Sequence, residues 1–155
     1  MAKIESIRYR PNRPEIVNGA IEWVERQGAR ACLLPMIFWE EGRPWREANL
    51  WLMEQATDEI CDLKTVNCKA YSLLTYAKWL ETNDVSWLKF PESKDERCLN
   101  RYRGSLIMLR SMNKLAPSTT TNKMRVAIQF YRWLLEKYYL ERNFVVDGSE
   151  HNNTV

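Results

Sequence analysis

Apolar residues recur every three or four positions through the second half of the chain, which is the period of an amphipathic helix. The pattern predicts three helices. The first spans residues 66–81 with Thr65 as its N-cap, the second opens at Ser93 or Asp95 and ends near residue 113, and the third spans residues 118–138. The third helix follows a proline and starts with a run of hydroxyl residues that is suited to capping.

The third predicted helix is apolar around much of its circumference. Beside its main stripe, Val126, Phe130 and Trp133 form a second one. A helix of this kind is either central to a bundle or covered by a partner surface.

The first third of the chain has a less uniform pattern. Residues 46–61 predict a further helix, because apolar residues lie at fourfold spacing, and residues 33–39 predict a strand that ends in a turn. Residues 14–27 fit a helix, which we favour, although Asn18-Gly19 within them would equally suit a tight hairpin. The pattern as a whole predicts a mainly α-helical protein, with a bundle of about four helices after a small accessory segment that has room for short β-strands.

Length and composition set the broad class of the protein. The chain has 155 residues, of which 45% are hydrophobic and 28% charged, and this suits one compact domain. No run approaches the roughly 20 apolar residues that span a bilayer, and the N-terminus lacks the apolar core of a signal peptide. We therefore expect a cytoplasmic protein without a membrane partner.

Several residue counts argue against enzyme activity. The five glycines lie too far apart for a phosphate-binding loop, and the single histidine, His151, lies in a polar tail. The cysteines, Cys32, Cys61, Cys68 and Cys98, have neither the paired spacing of a metal site nor the density of a disulfide scaffold. We expect them to be reduced and mostly buried, and we predict no catalytic residue, metal or cofactor.

Positive charge is concentrated in the middle of the chain. The formal net charge is only +3, but residues 64–137 contain 14 Lys and Arg against 6 Asp and Glu. Residues 1–63 contain 8 against 11. A segment with this bias attracts polyanions, of which nucleic acid is the commonest in a cytosol, whereas the simpler interpretation is a solvated helical surface.

Each of the three central helices also has a face rich in hydrogen-bond donors. On the first, Thr65 and Lys69 share a strip that contains no acidic residue. The second carries arginines on both flanks of its apolar arc, and on the third Arg125 and Arg132 share a face. The start of the third helix adds free backbone N–H groups and the positive end of the helix dipole. This conjunction favours nucleic-acid binding over a merely solvated surface.

The order of three stretches is informative in its own right. Thr65-Val66 is followed by YSLLTYAKWL at residues 71–80, Tyr102-Arg103 is followed by leucines at 106 and 109, and LAPST at residues 115–119 is followed by RVAIQFYRWL at residues 125–134. This order resembles the core-binding, SAM-like domain of tyrosine recombinases, the phage-integrase family. The likeness covers about half of the chain, and residues 43–52 resemble the lead-in helix of larger members.

The resemblance implies a function in DNA recombination. In this family the SAM-like helical bundle forms one jaw of a clamp around double-stranded DNA, and a separate C-terminal domain performs the chemistry. That chemistry needs an Arg, a Lys, a His-x-x-Arg group and a nucleophilic Tyr, none of which finds a place here. The implied function is therefore the non-catalytic, DNA-binding half of a site-specific recombinase or integrase of a mobile element, bacterial or phage-encoded.

The resemblance also implies a domain organisation and a set of partners. Residues 1–45 would be an N-terminal arm or accessory segment, residues 46–142 the core-binding domain, and residues 143–155 a flexible tail or linker to an absent catalytic domain. The expected partners are double-stranded DNA, that catalytic domain and other recombinase protomers on DNA, with the isolated chain a monomer or weak dimer. A stand-alone helical protein-interaction adaptor is the alternative function.

The family's DNA-facing parts correspond to the starts of the first and third central helices, with two arginines of the second as further candidates. Most contacts would be to backbone phosphates. The implied DNA-binding residues are Lys64, Thr65, Lys69, Arg101, Arg103, Thr119, Thr120, Thr121, Asn122, Lys123 and Arg125.

Overall fold

The computed structural model describes residues 1–28, 31–57 and 62–138, in which four strands precede four α-helices. The strands are β1 (Lys3–Tyr9), β2 (Asn12–Val17), β3 (Ala20–Glu25) and β4 (Cys32–Phe38), and the helices are α1 (Arg46–Thr57), α2 (Leu63–Thr82), α3 (Cys98–Ser111) and α4 (Pro117–Tyr138). The prediction of a mainly α-helical fold is therefore wrong, because the chain has mixed α and β structure. The predicted number of helices, four, agrees with the structure.

The strands form two antiparallel two-stranded sheets. In one, Lys3 of β1 lies opposite Phe38 of β4, and in the other β2 and β3 form a hairpin. The hairpin turn is Asn18-Gly19, with φ of 51° and 77°. Asn and Gly tolerate positive φ at both central positions of a tight turn, so this dipeptide decides the local structure. The preference for a helix over residues 14–27 is wrong, whereas the strand predicted at 33–39 is confirmed as β4.

The helix starts differ from the predicted caps. Asp62, not Thr65, is the N-cap of α2: its Oδ1 accepts a hydrogen bond from the Thr65 backbone N–H at 2.7 Å. This bond lowers the pKa of the Asp62 carboxyl below its usual value. Helix α4 begins at Pro117, and the hydroxyls of Thr120 and Thr121 bond back to carbonyls four residues earlier instead of capping N–H groups. Proline suits a first helical position because its missing N–H has no partner there in any helix.

The second central helix starts later than its pattern predicts. A 3₁₀ helix, Lys94–Glu96, comes first, and regular α-helix begins only at Cys98 and ends at Ser111. None of the helices in the described ranges has the length and apolarity needed to cross a bilayer.

The cysteines are less buried than their composition suggests. Cys98 is buried, but Cys32 is half-buried and Cys68 is exposed on α2. Cys61 lies outside the described residues. The expectation of mostly buried thiols is therefore wrong for the described part of the chain.

One hydrophobic core joins the sheet of β1 and β4 to the helices. Ala2 and Ile37 lie in the same buried cluster as the side chains of all four helices. The second apolar stripe of α4 is also in this cluster, since Val126, Phe130 and Trp133 are each at most 9% exposed. Of the two alternatives for that stripe, the structure shows packing inside the bundle.

Asn49 connects helix α1 to strand β4. Its side chain is buried, its Oδ1 accepts a hydrogen bond from the Ile37 N–H at 2.7 Å, and its Nδ2 donates to the Ile37 carbonyl at 3.0 Å. The Asn49 amide thus bonds both backbone groups of Ile37, whose carbonyl also accepts a hydrogen bond from the Trp45 N–H at 2.8 Å. It explains why a polar residue lies on the buried face of α1.

We predict that Asn49→Ala lowers the free energy of unfolding by about 2 kcal/mol, because the buried Ile37 N–H loses its acceptor. Urea denaturation of the full chain measures this. Asn122→Ala is the control, since Asn122 is an exposed helical asparagine whose removal should change stability by less than about 0.5 kcal/mol. Equal unfolding midpoints for the two variants would contradict the role assigned to Asn49.

Candidate nucleic-acid interface

Four arginines line one open groove between helices α3 and α4. Arg103 and Arg110 come from α3, Arg125 and Arg132 come from α4, and all four side chains are exposed. Residues seven apart return to nearly the same direction on an α-helix, so each pair projects from one face of its helix. The two faces meet across the groove and bring the four guanidinium groups to one surface.

The floor of this arginine groove is apolar and its lining contains no acidic residue. Leu106 is buried, while Ile107, Met124 and Ile128 are half-buried or exposed. Helix α3 has no Asp or Glu, and Glu136, near the end of α4, is the only acidic residue of that helix. Positive charge in the groove is therefore not neutralised by neighbours on either wall, and its potential attracts anions.

The core packing of the two helices orients these arginines. Helix α3 turns Tyr102 and Leu106 into the core, which places Arg103 and Arg110 on the flank that faces α4. Helix α4 turns Phe130 into the core and leaves its opposite side to solvent. The basic groove is thus a consequence of apolar packing on the other side of each helix.

The start of α2 contributes exposed residues, but Lys69 is held by other groups. Lys64 and Thr65 lie exposed in the first turn. The Lys69 Nζ donates to Gln55 Oε1 at 2.6 Å and lies 5.4 Å from the centre of the Trp51 ring. The ammonium of Lys69 therefore helps to attach α2 to α1.

The start of α4 lies between α2 and the arginine groove. The Lys123 Nζ donates to Thr75 Oγ1 of α2 at 2.8 Å, and partial burial lowers the pKa of Lys123. On the other side Thr120 and Thr121 line the arginine groove, with their hydroxyls bonded to backbone carbonyls. Thr119 and Asn122 are exposed.

Arg101 lies away from these residues. Its guanidinium carbon is 6.0 Å from the centre of the Trp79 ring, on the flank of α3 opposite Arg103. The surface there also includes Asp84, Asp95 and Glu96. Because these carboxylates offset its charge, Arg101 belongs to a mixed surface and not to the basic one.

The structure therefore brings together only part of the predicted set. Arg103, Thr120, Thr121 and Arg125 share the arginine groove, whereas the Lys123 ammonium lies on the α2 side of α4. Arg110 and Arg132 complete the groove but were not among the predicted residues. The signal for both was present in the sequence, because each follows another arginine by seven positions within one helix.

Comparisons with protein-family models, curated proteins and solved structures give no match to this chain.

Proposed function

We propose that this chain binds double-stranded DNA as the core-site clamp half of a site-specific tyrosine recombinase or integrase, acts in the cytoplasm and is non-catalytic by itself. The observation that carries the proposal is the arginine groove with its acid-free lining. A guanidinium presents several donors in a planar fork that fits phosphate oxygens, often two at a time. Four of them on one surface suit a chain of phosphates better than a single small anion.

The spacing of the arginines supports a duplex backbone as the ligand. Residues seven apart on a helix are separated by about 10.5 Å along its axis. One DNA strand rises about 3.4 Å along the duplex axis per phosphate, so an arginine pair aligned with that axis covers the rise of about three phosphates. Contacts of this kind fix the position and orientation of a protein on DNA, and sequence reading requires further side chains at base edges.

Residues beside the groove supply further polar contacts. Gln129 lines it, while Asn122 and Thr119 project from the exposed start of α4. Lys64 adds an exposed ammonium at the start of α2. In the proposed parent enzyme the catalytic domain would close on the DNA from the other side, and other protomers would bind the neighbouring sites.

Salt dependence tests this proposal. The full chain is titrated onto a labelled duplex by fluorescence anisotropy at several KCl concentrations between about 50 and 300 mM. Neutralising four to six phosphates predicts a slope of log K against log[KCl] of about −4 to −5, since each contact contributes roughly −0.9. A slope near zero would contradict DNA binding through the arginine groove.

A protein-interaction adaptor is the second candidate function, and exposed apolar residues on α3 and at its C-cap favour it. Ile107, Met108 and Met112 are 50–61% exposed. Exposed apolar patches mark protein interfaces more often than DNA interfaces. The salt dependence of duplex binding distinguishes the two functions, because an adaptor predicts a flat response.

A further inference from the structure

Helix α4 carries a pair of amide side chains beside its pair of arginines. Asn122 and Gln129 are seven residues apart, so they return to nearly the same direction on the helix, as Arg125 and Arg132 do. At 100° per residue, the amide pair lies about 60° around the helix axis from the arginine pair. The outward side of α4 therefore has two parallel stripes, one of amides and one of guanidinium groups.

The arginine stripe lies between the amide stripe and helix α3. Met124 and Ile128, which line the arginine groove, come before the arginines in the order around α4, and the amides come after them. Gln129 is half-buried and also lines the groove, whereas Asn122 is exposed outside its lining. A surface that runs from α3 across α4 thus meets the arginines of α3, then those of α4, and then the amides.

Both amides have unused hydrogen-bonding groups. Within residues 1–28, 31–57 and 62–138, neither the Asn122 nor the Gln129 side chain has a hydrogen-bond partner. The neighbouring hydroxyls differ, because those of Thr120 and Thr121 bond to backbone carbonyls at 3.2 and 3.0 Å. Helix α4 has no acidic residue before Glu136. Asn122 and Gln129 therefore offer free donors and acceptors beside a basic surface.

We propose that Asn122 and Gln129 read adenines in the major groove of the DNA, an inference that rests on the proposed function. This groove is about 12 Å wide and admits an α-helix. Adenine presents there the N7 acceptor beside the N6 amino donor, and the amide of Asn or Gln pairs with both at once. Guanine presents two acceptors, N7 and O6, so an amide in the same position would place its oxygen against O6.

The backbone phosphates suit the arginines better than the amides. Phosphate oxygens only accept hydrogen bonds, so an amide at the backbone would leave its own oxygen unpaired beside negative charge. A guanidinium has donors only and carries the positive charge that phosphate attracts. With α4 in the major groove, the arginines of α3 and α4 reach the phosphate strand on the α3 side. The amide stripe, which lies beyond the arginines, then faces the base edges.

The spacing of the two amides predicts the spacing of the two adenines. Residues seven apart are separated by about 10.5 Å along a helix axis, and successive base pairs are separated by about 3.4 Å along the duplex axis. An amide pair aligned with the duplex axis therefore reaches base pairs that are about three apart. The expected DNA motif contains two A·T pairs at this separation.

Selection from duplexes with a randomised central segment tests the inference. The full wild-type chain should enrich duplexes that contain the two A·T pairs at the expected spacing. Gln129→Ala should lose the enrichment of one A·T pair and Asn122→Ala that of the other. Exchange of one A·T pair for G·C should weaken wild-type binding at least about fivefold, and binding by the alanine variant that lacks its reader less than about twofold.

The matched control is Gln27→Ala, since Gln27 is an exposed glutamine in the segment after β3. This variant should select the wild-type motif. All three variants should keep the wild-type salt slope, because amides carry no charge. If the wild-type chain binds with the predicted salt slope but selects no A·T pair, or if the α4 alanine variants select the wild-type motif, the inference is overturned and the proposed function stands. A wild-type chain without salt-dependent duplex binding would overturn both.

Discussion

Simultaneous replacement of Arg103, Arg110, Arg125 and Arg132 by alanine should weaken duplex binding about 100-fold at moderate salt, which corresponds to about 2.7 kcal/mol. The four side chains are exposed and line one groove, so their removal takes away a shared phosphate-binding surface without opening the core. The slope of log K against log[KCl] should become shallower by about 3.6, because each lost phosphate contact contributes roughly 0.9. Anisotropy titrations at several salt concentrations measure both quantities.

The control for this experiment must change the net charge equally. Arg8→Ala/Arg43→Ala/Arg46→Ala/Lys89→Ala removes four exposed cations that lie outside the arginine groove. If DNA is bound in the groove, this control should lose less than about fivefold in affinity, from the smaller long-range attraction. Equal losses in the two variants would mean that DNA responds only to net charge and that the groove is not its site.

Replacing the same four arginines by lysine separates charge from geometry. Lysine keeps the positive charge but lacks the planar fork that contacts two phosphate oxygens. The salt slope should then stay close to the wild-type value. A partial loss of affinity for duplex DNA would then measure the binding free energy that the bidentate contacts of arginine contribute.

The helices could be predicted from the sequence because their signal is local. Core-facing residues such as Val66, Leu73 and Leu80 repeat at the helical period, and the structure buries each of them. The same periodicity identified the second apolar stripe of α4. It could not decide between packing in the bundle and packing on a partner, since that choice depends on where Trp45 and Trp51 lie in space.

The N-terminal segment was harder because short stretches fit two structures. In residues 14–27 the apolar residues fit both a helix and a pair of strands. The local structure therefore depends on Asn18-Gly19, whose turn geometry favours the hairpin. The capping residues posed a related problem. Thr65 is a good cap by residue type, but Asp62 lies three residues earlier and its carboxylate accepts the Thr65 N–H, so Thr65 lies inside the first turn of the helix.

The candidate site was predictable only in part. The heptad spacing within α3 and within α4 shows in the sequence, but the meeting of the two arginine pairs depends on how the helices pack against each other. Lys69 shows the converse problem. It shares a strip with other donors on α2, but its ammonium donates a hydrogen bond to Gln55 and lies over the ring of Trp51, both of which belong to α1. Contacts between residues distant in sequence decide which cations remain exposed.

Phe130→Ala should lower the free energy of unfolding by about 3–5 kcal/mol. The Phe130 side chain is fully buried, and its ring centroid lies 5.2 Å from that of Trp45, 5.8 Å from Trp51 and 6.2 Å from Trp87. Trp45 directly precedes α1, Trp51 belongs to α1 and Trp87 to the segment before α3, so the cavity would open where several elements meet. Rigid aromatic neighbours cannot collapse far into such a cavity, which places the expected cost in the upper part of the range for buried residues.

Urea denaturation measures this loss, and two further variants identify its cause. Phe130→Leu retains most of the buried volume and should lose roughly half as much stability, whereas Tyr71→Ala removes an aromatic ring that is 59% exposed on α2 and should lose less than about 0.5 kcal/mol. A Phe130→Ala chain as stable as Tyr71→Ala would mean that α4 is not central to the bundle.

Helix α4 also supplies half of the arginine groove, on the side opposite Phe130. A destabilised Phe130→Ala chain should therefore still bind DNA with the wild-type salt slope under conditions in which it is folded. Core packing and DNA binding depend on opposite faces of the same helix, so the two kinds of variant should affect stability and affinity separately.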